Sequence, residues 1–394
     1  MRVLVAGVGM IPFSTPSRSE NYLSMAEAAI RSALSDSGLH PSAVQQAYAG
    51  YVYGDSAAGQ AAMYRVAKTG IPVFNVNNNC STGSSALFLA REAIQHGAAN
   101  VVLAFGFEQM QRGALVSQWT DRPAPLDAFL ETAEPIQGSS DAPMAAQLFG
   151  GAGREYAERF GLRSDTLARI AVKARAHAAN NPYAVFTEPV SVEDVLGSAA
   201  VYGPLTRLQC CPPTCGAAAA VLISDDYARS HGLQPTVAIR AQAMTTDAEQ
   251  TFQSGSMINL VGYEMAKAAA VQVYDESGVD PLDIPVVELH DCFTTNELLS
   301  YEALGLTPEG TAEKFILEGE NTYGGRVVTN PSGGLLSKGH PLGATGLAQC
   351  AELVWQLRGE AEARQVDDVH LALQHNIGLG GAAVVTLYEK VSRG

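Results

Sequence analysis

The strongest constraint on the fold is an order of strand-like and helix-like segments that occurs twice along the 394-residue chain. In the first half, the buried strand "ANVVLAFGFE" follows a helix, and "CGAAAAVLISDD" is the last strand. In the second half, "DDVHLALQHN" follows a similar helix, and "GLGGAAVVTLYEK" takes the last position. This repetition predicts an α/β protein built from two duplicated halves, in which the loops after equivalent strands meet at one shared interface.

One segment interrupts the repetition. From about residue 118 to residue 204 the pattern predicts short helices and loops instead of alternating strands and helices. We therefore divide the chain into an N-terminal half over 1–117, an inserted loop domain over 118–204, the end of the N-terminal half over 205–225, and a C-terminal half over 226–394.

Charge and hydropathy argue against several classes of partner. A net charge of −15 and a pI of about 4.9 argue against general affinity for nucleic acid or for an anionic membrane. No apolar run approaches the ~20 residues needed to span a bilayer, and the start "MRVLVAGVGMIPF" indicates a buried strand rather than a signal peptide. The chain has six cysteines and no export signal, which predicts reduced thiols and a cytoplasmic location.

Cys80 lies between three asparagines and a run of small residues, in "VNNNCSTGSS", where a helix is predicted to begin. A thiol in that position faces unpaired backbone N–H groups and the positive end of the helix dipole. We therefore expect its pKa to be lowered from ~8.5 towards neutrality, as in a nucleophile. The alternative is a buried structural cysteine, which is the commoner role of a single cysteine.

Three further loops have polar or glycine-rich sequences after predicted strands. His290 and Cys292 belong to "HDCF", at the end of the strand "PVVEL", the usual position of a site in α/β folds. The chain offers no second pair with zinc-ligand spacing, so we predict no metal there.

His340, in "SKGHPLG", either donates to a developing oxyanion or is a solvated histidine in a glycine-rich turn. The turn "NIGLGG", which contains Gly378, has backbone N–H groups suited to an oxyanion hole.

The segment "CCPPTC" contains Cys210, Cys211 and Cys215. A metal or redox cluster is one interpretation of three close cysteines. Two adjacent cysteines have poor geometry for sharing a metal, however, and the prolines between them and the third stiffen the segment. We therefore favour a structural role.

Together, these stretches resemble the thiolase superfamily, and specifically the SCP2-thiolases, the thiolase domain of sterol carrier protein X. The likeness covers essentially the whole chain and includes "NVNNNCSTGS", "ELHDCF", "NPSGGLLSKGHPLGATGLAQC" and "LQHNIGLGG". It implies the thiolase fold, in which two duplicated βαβαβαββ halves form a layered α-β-α-β-α core with an inserted loop domain. It also implies a homodimer or a tetramer.

The resemblance implies a role for each candidate residue. Cys80 matches the nucleophile that becomes acylated, and His340 matches the histidine that activates it and lines the first oxyanion hole. His290 stands where most thiolases have an asparagine that holds a water molecule in that hole. Cys292 matches the acid/base cysteine of the SCP2-thiolases, and Gly378 and the Cys80 amide are candidates for the second oxyanion hole.

These roles lead to a hypothesis about the reaction. The chain would cleave a 3-oxoacyl-CoA with CoA, or run the reverse Claisen condensation, with CoA as cosubstrate and no bound cofactor. The alternatives are a thiolase-like retro-aldolase acting on steroid side-chain acyl-CoA and a non-catalytic scaffold that binds acyl-CoA or lipid. The CoA phosphates need local cations in an acidic chain, and a basic stretch of the insert offers Arg169, Lys173 and Arg175; a solvated helix face is the other interpretation of that stretch.

Overall fold

The computed structural model describes residues 1–111, 113 and 119–392. The strands in these residues are β1 (Val3–Met10), β2 (Gln46–Gly50), β3 (Val73–Val76), β4 (Val101–Glu108), β5 (Ala200–Tyr202), β6 (Leu205–Thr206), β7 (Gly216–Ser224), β8 (Val237–Thr245), β9 (Val286–Glu288), β10 (Val328–Thr329), β11 (Leu371–Gly378) and β12 (Ala382–Lys390). The α-helices are α1 (Tyr22–Ser37), α2 (Ala58–Val66), α3 (Thr82–Gln95), α4 (Asp127–Gln137), α5 (Met144–Phe160), α6 (Thr166–Ala178), α7 (Val192–Leu196), α8 (Asp225–Ser230), α9 (Glu249–Gln253), α10 (Met257–Leu260), α11 (Tyr263–Ser277), α12 (Thr294–Ala303), α13 (Ala312–Leu317), α14 (Gly334–Ser337) and α15 (Leu342–Arg358).

Ordinary capping chemistry sets the ends of α1. The Asn21 side chain accepts a hydrogen bond from the Ser24 N–H at the first turn. The helix ends at Gly38, which adopts a left-handed conformation with φ of +67° and returns its N–H to the last turn.

The strands of the two halves form one continuous sheet. Its order is β10-β9-β11-β12-β8-β1-β7-β4-β2-β3. Numbered within each half, the order is 3-2-4-5-1 both times, so the predicted duplication is confirmed. The halves join where the start of β1 pairs antiparallel with β8, Val3 opposite Ile239 and Leu4 opposite Ala238.

The sheet folds over so that α3 and α15 lie between its two halves. One buried cluster contains apolar residues of both helices and of strands from both halves, among them Leu87, Leu347, Val102 and Ala372. Helices α1 and α2 cover the outer face of the first half, and α11 and α12 cover the outer face of the second. This arrangement is the predicted α-β-α-β-α layering.

Glycines allow the two halves to approach closely near the start of α15. A Cβ atom added at Gly106 of β4 would overlap the backbone of Gly343, and one at Gly343 would overlap the backbone of Phe107 and Gly50. The start of α15 therefore lies directly on the ends of β2 and β4.

The excursion from the first half runs between β4 and β7 and includes α4 to α7 with the small β5–β6 hairpin. The proposed boundary between residues 117 and 118 falls among residues 114–118, which lie outside the described residues. The division into 1–117, 118–204, 205–225 and 226–394 stays a prediction.

Candidate active site

Cys80 occupies a tight turn between β3 and α3. Asn79 adopts a positive φ of +51°, and the Ser81 N–H donates back to the Asn78 carbonyl at 3.2 Å. The Thr82 hydroxyl donates to the Asn79 carbonyl at 2.6 Å and accepts from the Asn78 N–H at 2.9 Å. These bonds hold the half-buried thiol at the start of α3, as predicted.

The expectation of a lowered pKa for Cys80 is wrong. Burial and, to a lesser extent, the nearby Glu108 carboxylate together raise the pKa of the Cys80 thiol to about 12, against a smaller opposing effect of the Cys80 backbone N–H. Desolvation of the thiolate therefore outweighs the helix terminus. The free protein holds a neutral thiol, and a thiolate has to form by proton transfer within the site.

The pH dependence of alkylation checks this finding. Only the thiolate reacts, so we expect the rate of Cys80 alkylation by iodoacetamide to rise about tenfold per pH unit between about pH 7 and 9. In the urea-unfolded chain the rate should level off near the ordinary thiol pKa of ~8.5. Peptide mass spectrometry would assign the label to Cys80. A plateau already at neutral pH in the folded protein would contradict the raised pKa.

Glu108 was not singled out from the sequence. Its buried carboxylate accepts hydrogen bonds from the backbone N–H groups of Val52, Tyr53 and Gly343, at 2.9 to 3.1 Å. It thus ties the loop after β2 to the start of α15, and burial raises its own pKa to about 7. A signal existed, because an acidic residue at the end of a buried strand is unusual outside a site.

His340 is oriented as a base. The Thr345 hydroxyl donates to the Pro341 carbonyl at 3.0 Å and therefore accepts from His340 Nδ1–H, 2.7 Å away. This leaves the lone pair on Nε2, a buried atom without a hydrogen-bond partner among the described residues. Burial and the charge of Lys338 lower the pKa of His340 to about 3, so its ring is neutral at physiological pH.

His290 has the opposite tautomer. Its Nδ1 lies 2.7 Å from Asn376 Nδ2, and Asn376 Oδ1 accepts from the Ser84 hydroxyl at 2.9 Å. Gln374 Nε2 donates to the Ser84 hydroxyl at 2.8 Å, and the Tyr388 hydroxyl donates to Gln374 Oε1 at 2.5 Å. This chain of bonds makes His290 Nδ1 an acceptor and places its hydrogen on Nε2. Burial and neighbouring histidines hold the pKa of His290 well below its ordinary value.

Gln374 and Asn376, which support His290, were not singled out from the sequence, although both belong to the predicted strand "DDVHLALQHN". The structure continues β11 to Gly378. The two-residue period of a strand puts Gln374 and Asn376 on one face, and that face meets α3 and α15. Their alternation with apolar Leu373 and Ile377 was the available signal.

The structure brings together three of the residues predicted from sequence. The Cys80 sulfur and one ring nitrogen each of His290 and His340 lie within 4.8 Å of one another. The two rings meet edge to face, with centroids 5.1 Å apart and planes at 85°. Cys80 comes from the first half and both histidines come from the second, so the site exists only where the halves meet.

Cys292 joins the same site from the loop after β9. It is buried, and the charges of Cys211 and Cys80 add to burial in raising its pKa well above the ordinary value. The two predicted thiols are therefore close enough to influence each other electrostatically. Cys292, like Cys80, is a neutral thiol at rest.

The "CCPPTC" segment lies against this site. Cys210 forms an antiparallel bridge with Phe293, and the Cys211 N–H donates to the Cys292 carbonyl at 2.8 Å. Pro213 bridges to His340. Cys211 is thus the cross-strand neighbour of Cys292, and side chains in that relation lie on one face, with Cβ atoms about 4.5–5.5 Å apart. The sequence showed the three cysteines but not the strand pairing that brings them here.

Gly378 ends β11 against the turn of Cys80. A Cβ atom at this position would overlap the Asn78 carbonyl oxygen and contact Ser81. Asn79 Nδ2 also donates to the Leu379 carbonyl at 3.1 Å. The close approach of the two loops requires glycine here. The oxyanion-hole roles of Gly378 and of the Cys80 amide stay predictions.

Lys173 does not face solvent, and its assignment to CoA binding is wrong. Its ammonium group is buried in an ion pair with Glu297 and donates to Thr329 Oγ1 at 2.6 Å. Breaking this pair to reach a phosphate would leave Glu297 buried and uncompensated. Arg169 is exposed beside Asp165, and Arg175 lies over the Phe186 ring at 4.5 Å. For these two arginines CoA contact stays a prediction.

The two basic residues of α6 should differ sharply in their effect on stability. Replacing Lys173 by methionine keeps most of the side-chain volume but leaves the buried Glu297 carboxylate without its cationic partner. We expect the free energy of unfolding to fall by about 3–5 kcal/mol, measured by urea denaturation. Arg169→Met, which removes an exposed partner of Asp165, is the control and should leave the urea midpoint unchanged. Equal midpoints for the two variants would contradict the buried pair.

Comparison with known proteins now identifies the family. The thiolase N-terminal domain matches residues 3–226, and the thiolase C-terminal domain-like family matches residues 246–389. The chain belongs to the thiolase family. It is 53% identical over 392 residues to "Sterol carrier protein 2" of Rattus norvegicus, which covers 98% of this chain and 72% of that protein. The predicted relationship of this chain to the SCP2-thiolases is confirmed.

Solved structures agree with this thiolase fold. The "Ltp2-ChsH2(DUF35) aldolase" superposes with a TM-score of 0.83 at 27% identity, covering 99% of this chain and 98% of that one. The human mitochondrial 3-ketoacyl-CoA thiolase in complex with CoA superposes with a TM-score of 0.75 at 18% identity, covering 99% and 98%. At that identity the second likeness shows the fold alone. Among the described residues, no helix is both long and apolar enough to cross a membrane.

Proposed function

We propose that the chain catalyses thiolytic cleavage of 3-oxoacyl-CoA by CoA, giving acyl-CoA and acetyl-CoA or propionyl-CoA, and the reverse Claisen condensation. One observation carries the proposal: the Cys80 thiol meets the two oppositely protonated histidines, His340 and His290, within 4.8 Å. A nucleophile beside a base with a free lone pair is the arrangement that covalent catalysis needs.

In the first half-reaction, His340 Nε2 takes the Cys80 proton, and the thiolate attacks the C3 carbonyl. The resulting oxyanion collapses, the C2–C3 bond breaks, and Cys292 protonates C2 of the departing enolate. Two groups donate hydrogen bonds to the negative charge that develops on the substrate oxygen. One is the Nε2–H of His290, directly or through a water molecule, and the other is the protonated His340. The products of this stage are acyl-Cys80, a Cys292 thiolate and the first acyl-CoA.

In the second half-reaction, the Cys292 thiolate takes the thiol proton of incoming CoA. The CoA thiolate attacks the thioester carbonyl of acyl-Cys80, and the Cys80 thiolate leaves. Protonated His340 returns its proton to Cys80, which restores the resting state. Two thiols are required because one is acylated while the other carries the proton.

A panel of 3-oxoacyl-CoA substrates, straight-chain and 2-methyl-branched, tests the proposal. We expect CoA-dependent cleavage that follows ping-pong kinetics, because the acyl-enzyme forms before CoA enters. Cleavage that proceeds equally well without CoA would overturn it. CoA acts here as cosubstrate, and we propose no bound cofactor.

The "Ltp2-ChsH2(DUF35) aldolase" favours a second candidate, a retro-aldolase acting on steroid side-chain acyl-CoA. That reaction needs no acylated cysteine. Mixing the protein with acetyl-CoA and mapping acetylation by mass spectrometry distinguishes the candidates: acetyl-Cys80 supports thiolysis, and substrate cleavage without acetylation supports the aldolase. A non-catalytic scaffold that binds acyl-CoA or lipid would show neither acetylation nor cleavage.

We propose a homodimer formed through β3. This strand is one edge of the ten-stranded sheet, and its Phe74 side chain is 46% exposed. The other edge strand, β10, is buried. An open edge beside exposed apolar groups is suited to pairing with a second copy, and β3 leads directly to Cys80.

The oligomeric state should respond to a charge on this edge. We expect Phe74→Glu to shift the protein from dimer to monomer in sedimentation velocity, because the interface would have to bury the carboxylate. Leu282→Glu, at a residue 56% exposed and remote from β3, is the control and should leave the dimer intact. A dimer that persists in Phe74→Glu would count against this interface.

We propose a cytoplasmic location, and the state of the cysteine thiols supports it. All six cysteines are free in the described residues, although several lie close together. Reduced neighbouring thiols fit the predicted cytoplasmic location, where disulfides are rare.

A further inference from the structure

The candidate active site is also a set of ligands for a soft divalent metal ion. One sulfur and two imidazole nitrogens, from Cys80, His290 and His340, lie within 4.8 Å of one another. Thiolate and imidazole are the ligands that Zn²⁺ prefers. No second pair of ligands with zinc spacing lies near "HDCF" along the chain. The fold supplies further ligands instead from Cys80 in the other half and from His340.

The spacing is close to what coordination requires. Zn–S and Zn–N bonds of about 2.3 and 2.0–2.1 Å put tetrahedral ligand atoms about 3.3–3.6 Å apart. A contraction of about 1 Å in the separation of the three atoms brings them into that range. Three protein ligands leave the fourth position open, as in zinc sites that bind water or a small thiol.

The surroundings of the histidines also suit a metal. His340 already donates Nδ1–H to Thr345, which presents the Nε2 lone pair to the site. An orienting bond of this kind on the distal nitrogen is a regular feature of metal-binding histidines. His290 accepts through Nδ1 from the Asn376 amide in the metal-free protein. Metal binding at Nε2 therefore requires the ring hydrogen to move to Nδ1 and the Asn376 amide to rotate so that its Oδ1 accepts from Nδ1.

Charge balance is favourable as well. When Zn²⁺ binds, the Cys80 proton is released to solvent. The Zn²⁺ ion, the thiolate and two neutral imidazoles then carry a net charge of +1. The buried Glu108 carboxylate lies near Cys80 and offsets that charge. A thiol that resists ionisation in the free protein becomes a thiolate when a metal binds it.

We propose that one Zn²⁺ ion binds reversibly to Cys80, His290 and His340, and that it blocks the enzyme by occupying the nucleophile and its base. The binding step rests on the arrangement of these side chains. Only its effect on activity rests on the proposed function. The ion is an inhibitor here, and no step of the reaction uses it.

Titration with Cd²⁺ as a probe tests the binding step, because thiolate-to-Cd²⁺ charge transfer absorbs in the ultraviolet. We expect one equivalent to saturate the band, Zn²⁺ to compete for it, and Cys80→Ala to abolish it. His340→Asn should weaken binding at least tenfold, since even the loss of an orienting partner costs about 10–100-fold. His96→Asn, at an exposed histidine beyond α3, is the matched control and should bind as the unmodified protein does.

A second measurement uses only the unmodified protein, so it does not depend on the folding of a variant. Saturating Zn²⁺ should slow iodoacetamide alkylation of Cys80 at least tenfold, and a chelator should restore it. A Cd²⁺ band that survives in Cys80→Ala, or alkylation unaffected by Zn²⁺, overturns the proposal. If Zn²⁺ protects Cys80 but the protein cleaves no 3-oxoacyl-CoA, the metal site stands and the proposed function falls.

Discussion

Replacing Cys80 by alanine is expected to reduce kcat/KM for 3-oxoacyl-CoA cleavage by about 10⁴- to 10⁶-fold, the range seen when a nucleophile acting in a unit with its base is removed. Alanine cannot form a thioester with the acyl group, and it has no thiol proton for His340 to accept. No acyl-enzyme can therefore form to link the two half-reactions. The measurement is steady-state thiolysis with CoA, together with mass spectrometry for the acyl-enzyme.

Cys350→Ala is the control for this prediction. Cys350 is fully buried in α15, within the central cluster, so the substitution removes a thiol that is not part of the site. We expect it to lower stability by about 1 kcal/mol and to leave cleavage within a few-fold of the original rate. Normal cleavage by Cys80→Ala would exclude covalent catalysis through this residue and would favour the retro-aldolase.

Replacing Cys292 by alanine is expected to slow complete turnover by about 10²- to 10⁴-fold, the usual contribution of a general acid–base. The loss should be selective. Protonation of the enolate carbon requires the Cys292 proton, whereas a CoA thiolate can leave without one. Acetylation of Cys80 by acetyl-CoA should therefore survive in this variant, and a rapid-quench experiment would detect it.

Cys211→Ala is the informative comparison for Cys292. The two residues are cross-strand neighbours, and burial raises the pKa of both thiols, with a further increase at Cys292 from the neighbouring Cys211. We expect Cys211→Ala to reduce turnover less than Cys292→Ala does. The reverse result, with Cys292→Ala nearly active and Cys211→Ala inactive, would assign the proton transfer to the "CCPPTC" segment instead.

The histidine tautomers illustrate what sequence analysis could not reach. Both His290 and His340 were recognised from local motifs. Their division into a donor and a base depends on Asn376 and Thr345, because each supplies the partner for one Nδ1 atom. Such partners are set by packing between elements that are distant along the chain, and no local pattern records them.

Lys173 and Cys80 show that the local sequence also does not determine which ionisable groups are buried. A basic stretch on a predicted helix does not reveal which of its side chains is buried, and Lys173 proved to be paired with Glu297, 124 residues away. A cysteine at a helix start suggests a lowered pKa only if the site is open to water. Burial beside Glu108 reversed the direction.

The sequence by itself determined the duplicated α/β architecture and the motifs that supply Cys80, His290, Cys292 and His340. These features depend on residue periodicity and on local residue order, which act over a few neighbouring residues. Only the tertiary structure decided which motifs meet, how each histidine is protonated, and that both thiols are neutral at rest. Those properties arise from desolvation and hydrogen bonding between the two halves, and they come into existence only when the halves pack together.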